Sequence, residues 1–399
     1  MMRTHAMSPP GRCRTGLDLF EPAFPKAWLG ARAGLLAHPA SVNRALEHAV
    51  QVIRRSRKVR LTALFGPQHG ILGQTQDNMV EWEGFTDPDT GLPAYSLYGK
   101  VRTPEPEWLA PLDLLIVDLQ DVGSRYYTFV WTMALCMEAC ARAGKKMLIL
   151  DRPDPIGGEA MEGYVLDPAF ASFVGLHPIP VRHAMTMGEL AVYLRACHYP
   201  ELDLKVLKMR GWRRGDWFDA TGLPWVMPSP NMPTLDSAAV YPGMCLLEGT
   251  NLSEGRGTTR PFEIFGAPFV DSAALVKRLE QFRLPGVYFR PLSFQPTFQK
   301  WEGRPCRGAQ IHVTDRRIFQ PFKTGVAVLK AALDLYPVQF KWKRPPYEYE
   351  YRKMPIDILA GTPVLRRRLE EGATLDRMER EWNAGLTAFR KLRKDALLY

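Results

Sequence analysis

The chain has 399 residues, 46% hydrophobic and 24% charged, enough apolar material for sizeable cores and more than one domain. Its net charge of +10 is spread through stretches such as RRRLEEG and FRKLRK, where basic residues alternate with acidic and apolar ones as on solvated helix faces. There is no zinc-finger, RNP-type or basic-zipper pattern and no apolar run of about 18 residues, which argues against a nucleic-acid partner and against a membrane span.

The opening MMRTHAMSPPGRCRTGLDLF carries basic residues but no apolar core of a secretory signal, so residues 1–15 are expected to be a disordered tail on a cytoplasmic protein. Cys13, Cys136, Cys140, Cys197, Cys245 and Cys306 form no CxxC pair and read as reduced, mostly buried thiols. AGLLAHPASVNRA predicts a short buried strand and a polar turn, with a helix running on through VIRRSRK. VRLTALFGPQHGILG predicts strand, turn and loop. LDLLIVDLQDVG, a continuous apolar run closed by carboxylates, predicts a central parallel strand. A helix over about 128–142 and a buried strand in KKMLILDRPDPIGG follow. Thr186 and Glu189 in TMGEL have capping-box spacing at the start of another helix. This alternation predicts an α/β fold, a Rossmann-like open parallel sheet over residues 16–254 with ligands at the carboxyl ends of its strands. No GxGxxG opens a helix, so no dinucleotide is indicated.

The segment GWRRGDWFDATGLPWVMPSPNMPT is rich in Trp, Pro and Gly and reads as long, irregular and substrate-facing. From about residue 255 the character changes. VDSAALVKRLEQF is an amphipathic helix, GVYFRPLSFQPTFQKW and RGAQIHVTD are strands, and FKTGVAVLKAALDLYP is helical. ATLDRMEREWNAGLTAFRKLRKDALLY reads as one helix with Leu375, Met378, Trp382, Leu386 and Phe389 on its apolar face. Residues 255–399 are therefore expected to form a smaller α+β domain.

Between these parts lies YPGMCLLEGTNLSEGRGTTRPFE. It packs Glu248, Thr250, Asn251, Ser253, Glu254, Arg256, Thr258, Thr259, Arg260 and Glu263 among three glycines and has no apolar period. Glycines allow sharp turns and close approach to a ligand, and arginines offer forked donors for a carboxylate or phosphate. Such a run is either a site loop held on a rigid scaffold or a long solvated surface loop.

More chemistry follows the predicted strands. Gln68, His69, Asp77, Glu81 and Glu83 come after one. Asp118, Gln120 and Asp121 come after the next, with Arg125, Tyr126 and Tyr127 close behind, and Asp151, Arg152 and Asp154 after a third. At one sheet edge these would place several carboxylates, a histidine and two arginines together, the inventory that glycosidic hydrolysis needs. Asp118 and Asp121 read equally well as caps of the following helix, and His69 as a hydrogen-bonded turn residue. His38, His177, His183 and His198 lack ligand spacing, so no metal or other cofactor is expected.

Together FGPQHGILG, DPDTGLPAYSLYG, LDLLIVDLQDVGSRYYTFV, DRPDPIGG, PSPNMPT, EGTNLSEGRGTTRPFE and LRKDALLY resemble the DUF1343 family, whose characterised activity is exo-β-N-acetylmuramidase (NamZ-type glycoside hydrolases). The resemblance runs from about residue 61 to the C-terminus. It implies a cleft between a Rossmann-like and a smaller domain, and removal of non-reducing-end N-acetylmuramic acid from peptidoglycan fragments. Family members commonly carry GPEHG where this chain has GPQHG, and the QTQDNMVEWEGF that follows departs from the usual spacing. An amide cannot exchange a proton at useful pKa, so the role of that Glu does not transfer to Gln68.

The expectation is thus a glycosidase acting on a muropeptide or amino-sugar disaccharide. Gln68, His69, Asp118, Asp121, Glu248 and Glu254 are the catalytic candidates. Arg125, Tyr126, Asn231, Thr250, Asn251, Arg256 and Arg260 are expected to bind substrate, with Arg125, Arg256 or Arg260 facing the lactyl carboxylate. The rival expectation is a non-catalytic or altered-specificity amino-sugar-binding protein, motivated by Gln68.

Overall fold

The computed structural model describes residues 13–76 and 80–399. The expected tail falls almost wholly outside that range, and so does Asp77.

The main sheet follows the predicted alternation. Its strands are β1 (Arg32–Ala37), β2 (Arg60–Gly66), β3 (Phe85–Thr86), β4 (Pro93–Ser96), β5 (Leu114–Asp118) and β6 (Lys146–Leu150). After a small hairpin of β7 (Glu162–Val165) and β8 (Pro180–Arg182), β9 (Leu204–Leu207) completes it. The order is β3-β4-β2-β1-β5-β6-β9. Every pairing is parallel except the edge pair β3–β4. β5 lies between β1 and β6 with all five residues buried, which is why LLIVD is apolar without alternation.

Helices cover the sheet. Phe129–Arg142 is buried nearly all round, from Phe129 through Cys140, and Met187–His198 starts at a complete Thr186–Glu189 capping box. β10 (Ile264–Ala267), β11 (Val287–Phe294) and β12 (Cys306–Val313) form a separate antiparallel sheet in the order β10-β12-β11. The helices Leu235–Met244 and Pro321–Leu335 pack backbone to backbone. A Cβ on Gly243 would lie 1.9 Å from the Pro321 carbonyl oxygen, and one on Gly325 would lie 2.2 Å from that of Gly243. Only glycine permits that approach.

The last helix is shorter than its pattern predicts. Leu375, Met378, Trp382, Leu386 and Phe389 are buried as expected, but the helix ends at Leu392. The final residues are pulled onto the main sheet instead. Tyr399 Oη donates to Asp151 Oδ2 at 2.7 Å and accepts from the Met209 amide at 2.7 Å, and the Leu398 amide donates to Glu189 Oε1 at 2.8 Å. Among the described residues, no helix is long and apolar enough to cross a membrane.

Candidate active site

In this strand order the direction of winding reverses between β1 and β5, the usual place for a ligand in an open parallel sheet. Here the protein fills it. The Gln120 amide donates to His38 Nε2 at 2.9 Å, and burial, then Arg152, keep the His38 imidazole neutral far below its ordinary range. Arg152 Nη2 donates to Asp118 Oδ2 at 2.8 Å, with both side chains buried. Asp121 Oδ2 accepts from the Gly123 amide at 2.7 Å and lies 3.2 Å from His183 Nε2.

The polar cavity lies to one side, at the end of β2. Gln68 and His69 line it together with Tyr126, Tyr127 and Thr128 at the head of the helix Phe129–Arg142. Ser229, Asn231 and Met232 of PSPNMPT form another wall. Tyr241, Glu248, Arg256 and Phe262 come from the glycine-rich run, and Tyr347 and Glu348 from a late segment. The free space is about 40 Å³. Asn231 in this wall is held by Gln76: its Nδ2 donates to the Gln76 carbonyl oxygen at 2.6 Å, and Gln76 Nε2 reaches Asn231 Oδ1 at 3.4 Å.

The glycine-rich run is a buried scaffold rather than a solvated loop. Gly255 and Gly257 have φ of +80° and +77°, and a Cβ on either would lie within 2.4 and 2.7 Å of the backbone at Ile264 and Phe298. These turns bring Arg256 back to Glu248. Arg256 Nη2 donates to Glu248 Oε1 at 2.8 Å, and Tyr347 Oη donates to Glu248 Oε2 at 2.8 Å. Arg256 Nε lies 3.4 Å from Glu254 Oε1, and Lys300 Nζ donates to Glu254 Oε2 at 2.7 Å. Burial acts to raise the Glu248 carboxyl, but Arg256, Tyr347 and Lys300 outweigh it and hold it below the ordinary range.

Glu348 has the opposite setting. Burial pushes its carboxyl up to about 7, with the neighbouring Glu248 adding to the effect, against a lowering hydrogen bond from Tyr98 and the charges of Arg256 and Arg102. Tyr98 Oη donates to Glu348 Oε2 at 2.9 Å. Glu348 and Tyr349 have φ of 45° and 65°, and the amides and carbonyls of Tyr347 and Glu350 pair across them, as in a hairpin turn. Left-handed backbone costs a non-glycine residue roughly 1–2 kcal/mol. His69 (φ 68°) and Phe262 (φ 66°) carry the same strain in the same cavity wall. Such outliers concentrate where function holds a residue in place.

His69 is neutral, because burial lowers its imidazole to about 4. Its Nδ1 lies 2.7 Å from the Thr75 carbonyl oxygen and must donate to it, which leaves Nε2 as an unprotonated acceptor. Gln68 is engaged at both ends: Thr128 Oγ1 donates to its Oε1 at 2.6 Å, and its Nε2 donates to Tyr98 Oη at 3.2 Å. Tyr127 Oη is buried and has no partner among the described residues, whereas the Tyr126 hydroxyl is taken up by the Pro242 carbonyl.

The structure therefore brings together Gln68, His69, Tyr126, Asn231, Glu248 and Arg256 and places the other expected residues elsewhere. Asp118 and Asp121 belong to the filled winding reversal. Arg125 is wholly enclosed, donating to the carbonyls of Tyr164 (2.9 Å), Ile179 (3.2 Å) and Leu359 (2.6 Å). Glu254 stands behind Arg256. Thr250 Oγ1 donates to the Leu247 carbonyl at 2.9 Å, and Asn251 Nδ2 to that of Gln339 at 2.9 Å. Arg260, half exposed, pairs with Glu263. Trp212 packs on Tyr399, and Trp225 on Phe218, so of the irregular segment the stretch at 229–232 reaches the cavity. Among the described residues, no cluster of three His, Cys, Asp or Glu side chains could hold a metal. Glu348 had no sequence signal: it sits in PPYEYEY, which lacks the Asn-Gly or Asp-Gly that usually marks such a turn.

The sequence profiles of the N- and C-terminal regions of exo-β-N-acetylmuramidase NamZ match residues 33–236 and 239–399. The chain is 45% identical over 388 residues to the peptidoglycan β-N-acetylmuramidase NamZ of Bacillus subtilis (strain 168), covering 97% of this chain and 92% of that protein. It also superposes on two DUF1343 family proteins of Bacteroides fragilis. One gives a TM-score of 0.87 at 33% identity, covering 98% of this chain and all of the other. The second gives 0.76 at 28% identity, covering 97% and 99%.

Proposed function

This chain belongs to the exo-β-N-acetylmuramidase NamZ family, and from that premise we propose how its cavity removes non-reducing-end N-acetylmuramic acid from peptidoglycan fragments. The protein is a glycosidase. The observation that carries the mechanism is the pair of carboxyls in one cavity, Glu348 pushed up to about 7 and Glu248 held below the ordinary range. Two carboxyls whose surroundings drive their titration apart are suited to act as acid and anion. Glu348 delivers the proton to the glycosidic oxygen, and ionised Glu248 faces the positive charge that develops on the sugar. Gln68 does not deprive the site of an acid, which favours hydrolysis over mere binding.

His69 Nε2 and Tyr127 Oη offer one acceptor and one donor for sugar hydroxyls or water. Of the three arginines expected at the lactyl carboxylate, Arg256 lines the cavity and is assigned that contact. The six cysteines form no disulfide, which supports a reducing compartment, and we place the enzyme in the cytoplasm, in recycling of wall fragments.

The test is release of chromophore from an N-acetylmuramic acid β-glycoside, beside the N-acetylglucosamine glycoside as control. The native enzyme is expected to cleave the first in preference. Glu348→Gln and Glu248→Gln are each expected to lose roughly 10²–10⁴-fold in kcat. Undiminished turnover by Glu348→Gln sinks the acid assignment, and equal cleavage of both sugars sinks the role of the lactyl group.

A further inference from the structure

Gln68, Tyr98 and Glu348 form one directed chain of hydrogen bonds. Thr128 Oγ1 donates to Gln68 Oε1, Gln68 Nε2 donates to Tyr98 Oη, and Tyr98 Oη donates to Glu348 Oε2, at 2.6, 3.2 and 2.9 Å. A phenol has one proton to give. An amide nitrogen at 68 only donates, so it makes the Tyr98 oxygen an acceptor and sends that single proton to Glu348. Oε1 of Glu348 takes no hydrogen bond from any described residue, and Glu348 lines the cavity.

We infer that Gln68 and Tyr98 are positioning residues that occupy Oε2 of Glu348 and thereby confine the catalytic proton to Oε1, the oxygen left for the substrate. The inference rests on Glu348 being the acid. In the step itself the Oε1–H bond breaks and its proton passes to the glycosidic oxygen. That oxygen keeps the electron pair of the breaking C1–O bond, and Glu348 is left as a carboxylate still accepting from Tyr98. Across the whole turnover one water is consumed: its oxygen ends on C1 and one of its protons restores Glu348.

A carboxylate at position 68 reverses the logic. It cannot donate to Tyr98, and it competes for the tyrosine proton. Once Tyr98 turns toward it, the tyrosine oxygen becomes an acceptor for Glu348 Oε2, and the acid proton points away from the substrate. The other titratable or charged groups facing Glu348 are Glu248, Arg256, Arg102 and Tyr347, and neither Gln68→Glu nor Tyr98→Phe removes them.

The experiment is the pH profile of kcat/KM on the chromogenic muramic-acid glycoside for the native enzyme, Gln68→Glu, Tyr98→Phe and Glu348→Gln, with unfolding midpoints for each. The native enzyme should lose activity as pH rises through about 7. Tyr98→Phe removes a bond that favours the carboxylate, and Gln68→Glu adds a negative neighbour. Both should move this alkaline limb to higher pH, by about one pH unit for the added charge. Both should also lower kcat by about tenfold or more, with KM little changed. An alkaline limb that stays in place in both variants, or a Gln68→Glu enzyme as fast as the native one, overturns the inference while Glu348→Gln remains inactive. An active Glu348→Gln instead overturns the assignment of the acid, so the two failures are distinct. Lower unfolding midpoints with an unmoved limb identify a structural role only and likewise overturn it.

Discussion

Arg256 and Glu248 are joined by a 2.8 Å hydrogen bond with side chains only 7% and 6% exposed, so the cavity holds a cation and an anion that neither partner can surrender alone. Removing one member of such a pair leaves an uncompensated buried charge and costs about 3–5 kcal/mol. Arg256→Met is therefore expected to lower the denaturant midpoint sharply and to abolish turnover. Adding Glu248→Gln to it should recover much of the stability and none of the activity. A single Arg256→Met as stable as the native protein would contradict the buried pairing.

Stability should fall as pH rises above about 6.5. Burial raises Glu348 and Asp154 to about 7 and Asp151 to about 6, so the folded state binds more protons than the unfolded chain between the ordinary carboxyl range and those values. Each of these contributions is lost as pH rises through that window. His69 and His177, lowered to about 4, act the other way, because the unfolded chain gains protons on them below about 6.5. The two sets oppose each other below about 6.5, and above it the carboxyls act alone. Thermal unfolding across pH 5 to 8 should show the decline on the alkaline side, and Glu348→Gln should flatten it. A decline of equal steepness in that variant would remove Glu348 from the account.

Arg125 gives a contrast. Its guanidinium is enclosed and spent on three main-chain carbonyls, and burial lowers it to about 10. Arg125→Leu strands those carbonyls, at about 1–3 kcal/mol for each unsatisfied group. The expected outcome is a large loss of stability with KM unchanged in whatever folded protein remains. A raised KM at unchanged stability would return Arg125 to the substrate, as its neighbourhood in the sequence suggested.

Sequence alone determined the parallel sheet, the central place of Leu114–Asp118, the buried stripe of the last helix and the Thr186–Glu189 cap, because each depends on periodicity or spacing within one segment. It also pointed to the glycine-rich run and to Gln68 and His69. The strand-end carboxylates could not be sorted in the same way. Asp118 and Asp121 look like site residues until Arg152 and His183 are seen to occupy them, and those partners lie 34 and 62 positions away along the chain. Glu348 is the converse: an unremarkable residue in PPYEYEY becomes an acid because folding sets it beside Tyr98, some 250 positions earlier, and beside Glu248. Local pattern decides secondary structure because a strand or helix is satisfied by its own neighbours. Which carboxyl stays protonated depends on burial and on charges brought from distant segments, and only the tertiary structure supplies them.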